Sequence, residues 1–309
     1  MDREALAMPA ANPRAALRQQ LAAGELIVAP GVFDGISASL TARLGFGAAY
    51  LTGAGVAASG FGLPDIGLVT QTEMTERARM IVRATNGLPV IADADTGYGA
   101  MLNVVRTVRE YEAAGVAAIQ LEDQAFPKKC GHLPDKEVIG AAEFAVRIEA
   151  AVDARTDPDL VIIARTDARG SLGLDEAIVR ANRYAEAGAD MIFVEAPRTS
   201  EEIERIAKEV SAPLLINLVI GGLTPLESAE RLNELGYAIA IYPTVPLTAA
   251  ATAMVTGLAE LAGRDPGEFV PKDIAGLFQL VGLDEWTATG ERFPEPTPAV
   301  RNGQDKQST

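Results

Sequence analysis

Pro89-Val90-Ile91-Ala92-Asp93-Ala94-Asp95-Thr96-Gly97-Tyr98-Gly99 is a short apolar run that stops at two carboxylates and a glycine-rich turn. An apolar run without polar alternation reads as a strand buried on both faces, the mark of a parallel sheet. The same unit recurs along the chain. Strands are expected at 26–29, 48–52, 89–92, 117–121, 160–164, 191–194, 213–216 and 238–242. Helices are expected at 13–23, 36–44, 72–85, 103–114, 141–154, 174–187, 200–210, 225–234 and 248–261. Eight strand–helix units over about 220 residues fit a (β/α)8 TIM-type barrel. An open doubly wound sheet is the alternative. The polar residues favour closure: Asp34, Thr52, Asp93, Asp95, Glu122, Arg165, Glu195 and Asn217 all fall at or just past strand C-termini. A barrel gathers those ends on one face, whereas an open sheet strings them along an edge.

Composition narrows the class. The chain has 309 residues, 48% hydrophobic and 22% charged, enough for a large buried core. Its net charge of −15 argues against a nucleic-acid or anionic-membrane surface. One cysteine excludes an internal disulfide framework. No basic, then apolar, leader opens the chain and no uninterrupted apolar run reaches membrane length, so a cytoplasmic protein is expected. We expect the barrel over 1–263, C-terminal helices for oligomer contacts over 264–293 with an apolar stretch at 274–281, and a Pro-rich disordered tail over 294–309.

Three acids on neighbouring strand ends, Asp93, Asp95 and Glu122, are hard oxygen donors suited to Mg²⁺, which keeps several waters and takes few protein carboxylates. Asp95 or Asn103 could instead cap the following helix, but capping explains one acid and not three. Arg165 is a planar partner for a substrate carboxylate, with Glu195 or Asp167 as a coexisting ion pair. Asn217 offers an amide to the same end of a substrate. Gly53-Ala54-Gly55 resembles a dinucleotide fingerprint but follows the second strand and lacks the ribose-binding acid. Zinc is disfavoured, because one Cys and one His cannot fill four ligand positions. Those two residues nonetheless lie together in Lys128-Lys129-Cys130-Gly131-His132, between Pro127 and Pro134. Neighbouring lysines favour a thiolate, and an imidazole can trade protons with it.

These residues in this order resemble the isocitrate lyase / phosphoenolpyruvate mutase superfamily, over about 24–263. The runs that carry the likeness are Pro30-Gly31-Val32-Phe33-Asp34, the segment 93–99, Leu121-Glu122-Asp123-Gln124, the segment 128–132 and Ala164-Arg165-Thr166-Asp167-Ala168. The Lys-Lys-Cys-Gly-His run is similar to the lyase branch. The resemblance implies a barrel that binds Mg²⁺, with Mn²⁺ as substitute, through Asp93, aided by Asp95 and Glu122 partly through water. It implies that Tyr50, Thr52, Gly53 and Ala54 surround the pyruvate-like end of a small di- or tricarboxylate. It further implies that Asp65, Lys128, Arg165, Glu195 and Asn217 line the pocket, and that the loop with Cys130 and Gly131 closes over it. It implies a homotetramer of helix-swapped dimers. Relatives often carry an acid where Ile220 stands, which bears on the far end of the substrate.

The expected reaction is cleavage of a 2-alkylmalate-type acid, such as 2-methylisocitrate or 2,3-dimethylmalate, to pyruvate plus a carboxylate. Cys130 is the expected general acid, tuned by His132 and Lys128; Arg165 and Glu195 belong to the catalytic set, and Tyr50 is a candidate base. Two other readings stay open: an oxaloacetate decarboxylase or hydrolase of the same family, and a catalytically silent binding scaffold.

Overall fold

The computed structural model describes residues 12–131, 133 and 136–293; His132, Pro134 and the tail from Pro294 lie outside them. The eight strands are β1 (Ile27–Val32), β2 (Ala49–Leu51), β3 (Val90–Asp93), β4 (Ala118–Glu122), β5 (Val161–Thr166), β6 (Met191–Val194), β7 (Leu214–Asn217) and β8 (Tyr237–Tyr242). All neighbouring pairs are parallel and follow chain order, and β1 pairs with β8, so the sheet is a closed barrel.

Strand side chains alternate between two cores, as period-two geometry requires. On β5, Val161 and Ile163 point into the barrel, where they join Ile27, Tyr50, Ile91, Met191, Phe193, Leu215 and Ile239. Ile162 and Ala164 point outward into the larger core beneath the helices. Helix α1 (Pro13–Ala23) closes the N-terminal end of the barrel. Its Leu17 is fully buried against the interior core, and Arg14 and Arg18 reach Asp157 and Asp190 at 2.8 and 2.9 Å.

The connections follow as α2 (Gly35–Arg43), α3 (Gly53–Val56), α4 (Gln71–Ala84), α5 (Met101–Ala114), α6 (Ala141–Ala154), α7 (Ala168–Ser171), α8 (Leu174–Glu186), α9 (Ser200–Glu209), α10 (Ala229–Glu234), α11 (Val245–Ala262), α12 (Ile274–Gln279) and α13 (Leu283–Arg292). Two differ from expectation for local reasons. The glycine-rich stretch after β2 is helical rather than a loop, continuing α3 into a π-helical turn at Ala57–Phe61. Thr52 starts it by accepting from the Gly55 N–H at 3.2 Å. Helix α10 begins at Ala229, not Pro225, because Ser228, itself extended, is its N-cap and accepts from the Arg231 N–H. Past the barrel, Ile274, Leu277 and Phe278 of α12 are buried in the main core, so this segment packs on the barrel.

Candidate active site

The C-terminal strand ends converge on a cavity of about 40 Å³. Tyr50, Thr52, Ala54, Asp65, Asp93 and Glu122 line one part of it, and Lys128, Cys130, Gly131, Arg165 and Asn217 another. An apolar wall completes it: Val219 after β7, Ile241 and Pro243 at the end of β8, and Ile274 from α12. Three expected residues stand one layer back. Gly53 backs onto Asp93: a Cβ on it would lie 2.8 Å from Asp93 Oδ2. Glu195 is wholly buried behind Arg165 and Gly131. Asp95, in a left-handed turn with φ 47°, faces a neighbouring cleft of about 380 Å³ shared with Lys128.

The charges are tightly paired. Lys128 Nζ donates to Asp65 and lies 2.7 Å from Asp95 Oδ1. Burial alone would lower its pKa, but Asp65 and Asp95 outweigh burial and hold the ammonium well above its ordinary range. Arg165 makes a bidentate pair with Asp167 at 2.8 and 2.9 Å and lies 3.4 Å from both Glu122 and Glu195. Its guanidinium also stacks 5.1 Å over the Phe193 ring. Asn217 donates to Glu195 at 3.3 Å.

The acids fit a divalent cation bound partly through water. Burial raises Asp95 to about 7 and raises Glu122 well above the carboxylate range. Glu122 Oε1 is buried with no hydrogen-bond partner among the described residues. A buried carboxylate oxygen without a donor is costly unless a cation or ordered water reaches it. Among the described residues no group of three acid, Cys or His side chains could cage an ion by itself. A site supplying one or two direct carboxylates is what an octahedral, water-retaining cation uses. The capping alternative fails: Ala100 is the N-cap of α5, without any side-chain bond.

The loop carrying Cys130 is packed down over the cavity. The Cys130 N–H donates to the Asp65 carbonyl at 3.0 Å, and the Leu133 N–H to the Cys130 carbonyl at 2.9 Å. Gln124 exchanges two 2.9 Å bonds with the Lys129 backbone. Gly131 must be glycine here, since a Cβ would lie 2.6 Å from Arg165 Nη2 and 2.7 Å from Glu195 Cδ.

A family model described as phosphoenolpyruvate phosphomutase matches residues 17–262. The chain belongs to the phosphoenolpyruvate mutase / isocitrate lyase superfamily. It is 52% identical over 290 residues to the 2,3-dimethylmalate lyase of Eubacterium barkeri, a match covering 90% of this chain and 99% of that protein. It is 48% identical over 236 residues to the 2-methylisocitrate lyase of Halalkalibacterium halodurans, covering 76% and 77%. Among solved structures it resembles oxaloacetate acetylhydrolase in complex with 3,3-difluorooxalacetate, with a TM-score of 0.79 and 38% identity over 91% of this chain and 97% of that one. The chain is a carbon–carbon lyase of this superfamily.

Three expectations need correction or extension in this superfamily member. Tyr50 is ill suited to be the base: its hydroxyl donates to Gln120 Oε1 at 2.8 Å, and burial, then the Asp93 charge, pushes the phenol well above its ordinary pKa. Lys128 is bound to Asp65 and lies 2.7 Å from Asp95, so it also serves to hold those two acids together. Thr52 Oγ1 is engaged in starting α3. Residues not singled out from the sequence are Gln120, Asp123, Lys136, Val219 and Ile274. Only Asp123 carried a visible signal, as an acid directly after Glu122 at a strand end.

Proposed function

We propose that this lyase cleaves the C2–C3 bond of a 2-alkylmalate-type acid, such as 2,3-dimethylmalate or 2-methylisocitrate, to pyruvate plus a carboxylate. The observation that carries the reading is that the only thiol of the chain shares one small cavity with Asp93, Glu122 and Arg165. Asp93, with Asp95 and Glu122 partly through water, would hold Mg²⁺, or Mn²⁺ in its stead. A divalent ion held there would supply Lewis acidity that lowers the pKa of the C2 hydroxyl. Arg165, kept charged by Asp167, faces the negative charge that builds on the leaving carboxylate as C2–C3 breaks. Cys130 gives its proton to C3, C2 becomes the ketone of pyruvate, and the C2 hydroxyl proton leaves to a base. Asn217 orients a substrate carboxylate while anchored on Glu195. The packed loop excludes water, so the carbanion meets the thiol and not solvent.

Further parts of the reading concern assembly and place. Helix α11 is apolar and long enough to cross a membrane, with a mean hydropathy of 1.4 and only 11% of it buried. Its inner side packs on β1 and α12. Met254, Leu258 and Leu261 are exposed, and Met254 and Leu280 line a groove between α2, α11 and α12. A second copy of the chain covers such a face in a homotetramer of helix-swapped dimers, and the enzyme works in the cytoplasm.

The test is a product assay with Mg²⁺ on 2,3-dimethylmalate, 2-methylisocitrate, isocitrate and oxaloacetate, reading pyruvate, glyoxylate and oxalate. Pyruvate from an alkylmalate, lost in Asp93→Ala and in excess chelator, supports the assignment. Turnover of oxaloacetate alone would move the chain to the hydrolase reading that the acetylhydrolase likeness favours. No turnover and no metal dependence would leave the scaffold.

A further inference from the structure

One side chain outside the assigned set ties two halves of the site together. Lys136 follows the Cys130 loop and is buried, its side chain 5% exposed. Its Nζ donates to Asp167 Oδ1 at 2.7 Å and to the Gly131 carbonyl at 2.5 Å. The same Asp167 grips Arg165 through both oxygens, and its backbone N–H donates to Asp123 Oδ1 at 2.9 Å. Asp123 is held in turn by Thr166, Arg180 and Tyr184. A rigid buried network under the barrel rim thus ends at one ammonium, whose other contact is the carbonyl next to Cys130. The three donors of an ammonium let it serve both oxygens. Arg165 is shared among Asp167, Glu122 and Glu195, so Lys136 also helps to hold the Asp167 carboxylate charged. The contact with Gly131 is what Arg165 does not supply.

We propose that Lys136 is a positioning residue for the reaction: by holding the Gly131 carbonyl at a set distance from Asp167, it registers Cys130 against Arg165 across the substrate. The inference rests on reading Cys130 as the acid, and adds the group that places it. A reacting group displaced by about 1 Å costs on the order of 100-fold in rate.

Cys130 is the only thiol and is 8% exposed, so its alkylation by iodoacetamide reads loop closure without reference to turnover. In Lys136→Met, alkylation at 25 °C should be at least about tenfold faster. Its kcat should fall about 10- to 100-fold with KM within about threefold, and its Tm should stay well above the assay temperature. Lys136→Arg, which keeps the charge and donors toward both oxygens, should restore most of the protection and turnover. A merely structural lysine would lower Tm without exposing the thiol or splitting kcat from KM, and that result overturns the proposal, as do wild-type alkylation and kcat in folded Lys136→Met. If the methionine variant does not fold, Lys136→Gln, one bond shorter but still able to donate to Asp167, carries the same expectations. Failure of both to fold makes Lys136 a folding residue and overturns the proposal. Faster alkylation with unchanged kcat would leave Lys136 a loop anchor without a role in the reaction and overturn the proposal, while loss of kcat in Cys130→Ser tests the acid separately.

Discussion

Gly131→Ala adds one methyl group at the tightest point of the closed loop. The new Cβ would stand 2.6 Å from Arg165 Nη2, 2.7 Å from Glu195 Cδ and 2.9 Å from Glu195 Cγ. Neither neighbour can retreat cheaply. Arg165 is clamped by Asp167 and stacked on Phe193, and Glu195 is wholly buried beside Asn217. The loop must therefore lift, and Cys130, one residue away, lifts with it. Overpacking of this kind costs about 1–3 kcal/mol. An open loop relieves the clash, so the penalty falls on closure and not on the folded barrel. Converted at about 1.4 kcal/mol per decade, kcat/KM should fall roughly 5- to 140-fold, while Tm moves by only a few degrees. The assay is steady-state pyruvate release on the best alkylmalate, beside a thermal melt of the same preparation. A variant within about twofold of wild type would refute the argument that closure brings Gly131 against Arg165. A variant whose loss is matched by a large drop in Tm would place the cost in the fold.

Cys130→Ser should lower kcat by about 10²- to 10⁴-fold with KM near wild type, because a serine hydroxyl is too weak an acid for C3; more than about a tenth of wild-type kcat would remove Cys130 as the acid. The metal-free protein should become more stable as pH falls from about 8 to 6. Asp95, raised to about 7 by burial, takes up a proton in the folded state that the unfolded chain does not bind until about pH 4. Saturating Mg²⁺ should raise Tm, and more at pH 8 than at pH 6, since ion and proton compete for the same carboxylates; melts showing the opposite slope would contradict this. Leu17→Ala should destabilise by about 2–5 kcal/mol by opening a cavity at the barrel floor, with kcat unchanged because the floor lies at the other end from the site; a melt within a degree of wild type would show that α1 does not seal the core.

Much of this enzyme was legible without coordinates. A parallel barrel needs strands apolar on both faces and polar residues only where each strand stops, and both patterns are local, so runs such as 89–95 and 160–167 declared the fold and its functional face together. The carboxylates, Arg165, Asn217 and the Cys130 loop could be named because residue type and strand-end placement already restrict their chemistry. Helix α3 was hidden by its glycines, of which Gly53 serves a close approach to Asp93 and Gly55 one to Thr52 and Phe33, neither visible from one dimension. What only the tertiary structure decided was who spends charge on whom. Lys128 sits two residues from the thiol in the chain yet answers Asp65 and Asp95, which come from different strand-to-helix connections. Lys136 gave no local sign of a role, and acquires one because closure sets Gly131 against β5 and β6. Val219 and Ile274 form one wall although 54 residues of chain separate them. Periodicity and strand-end chemistry are properties of neighbours along the chain, whereas ion pairing and closure depend on distances of a few ångströms between distant segments, and Coulomb and packing energies at that range exist only once the barrel has closed.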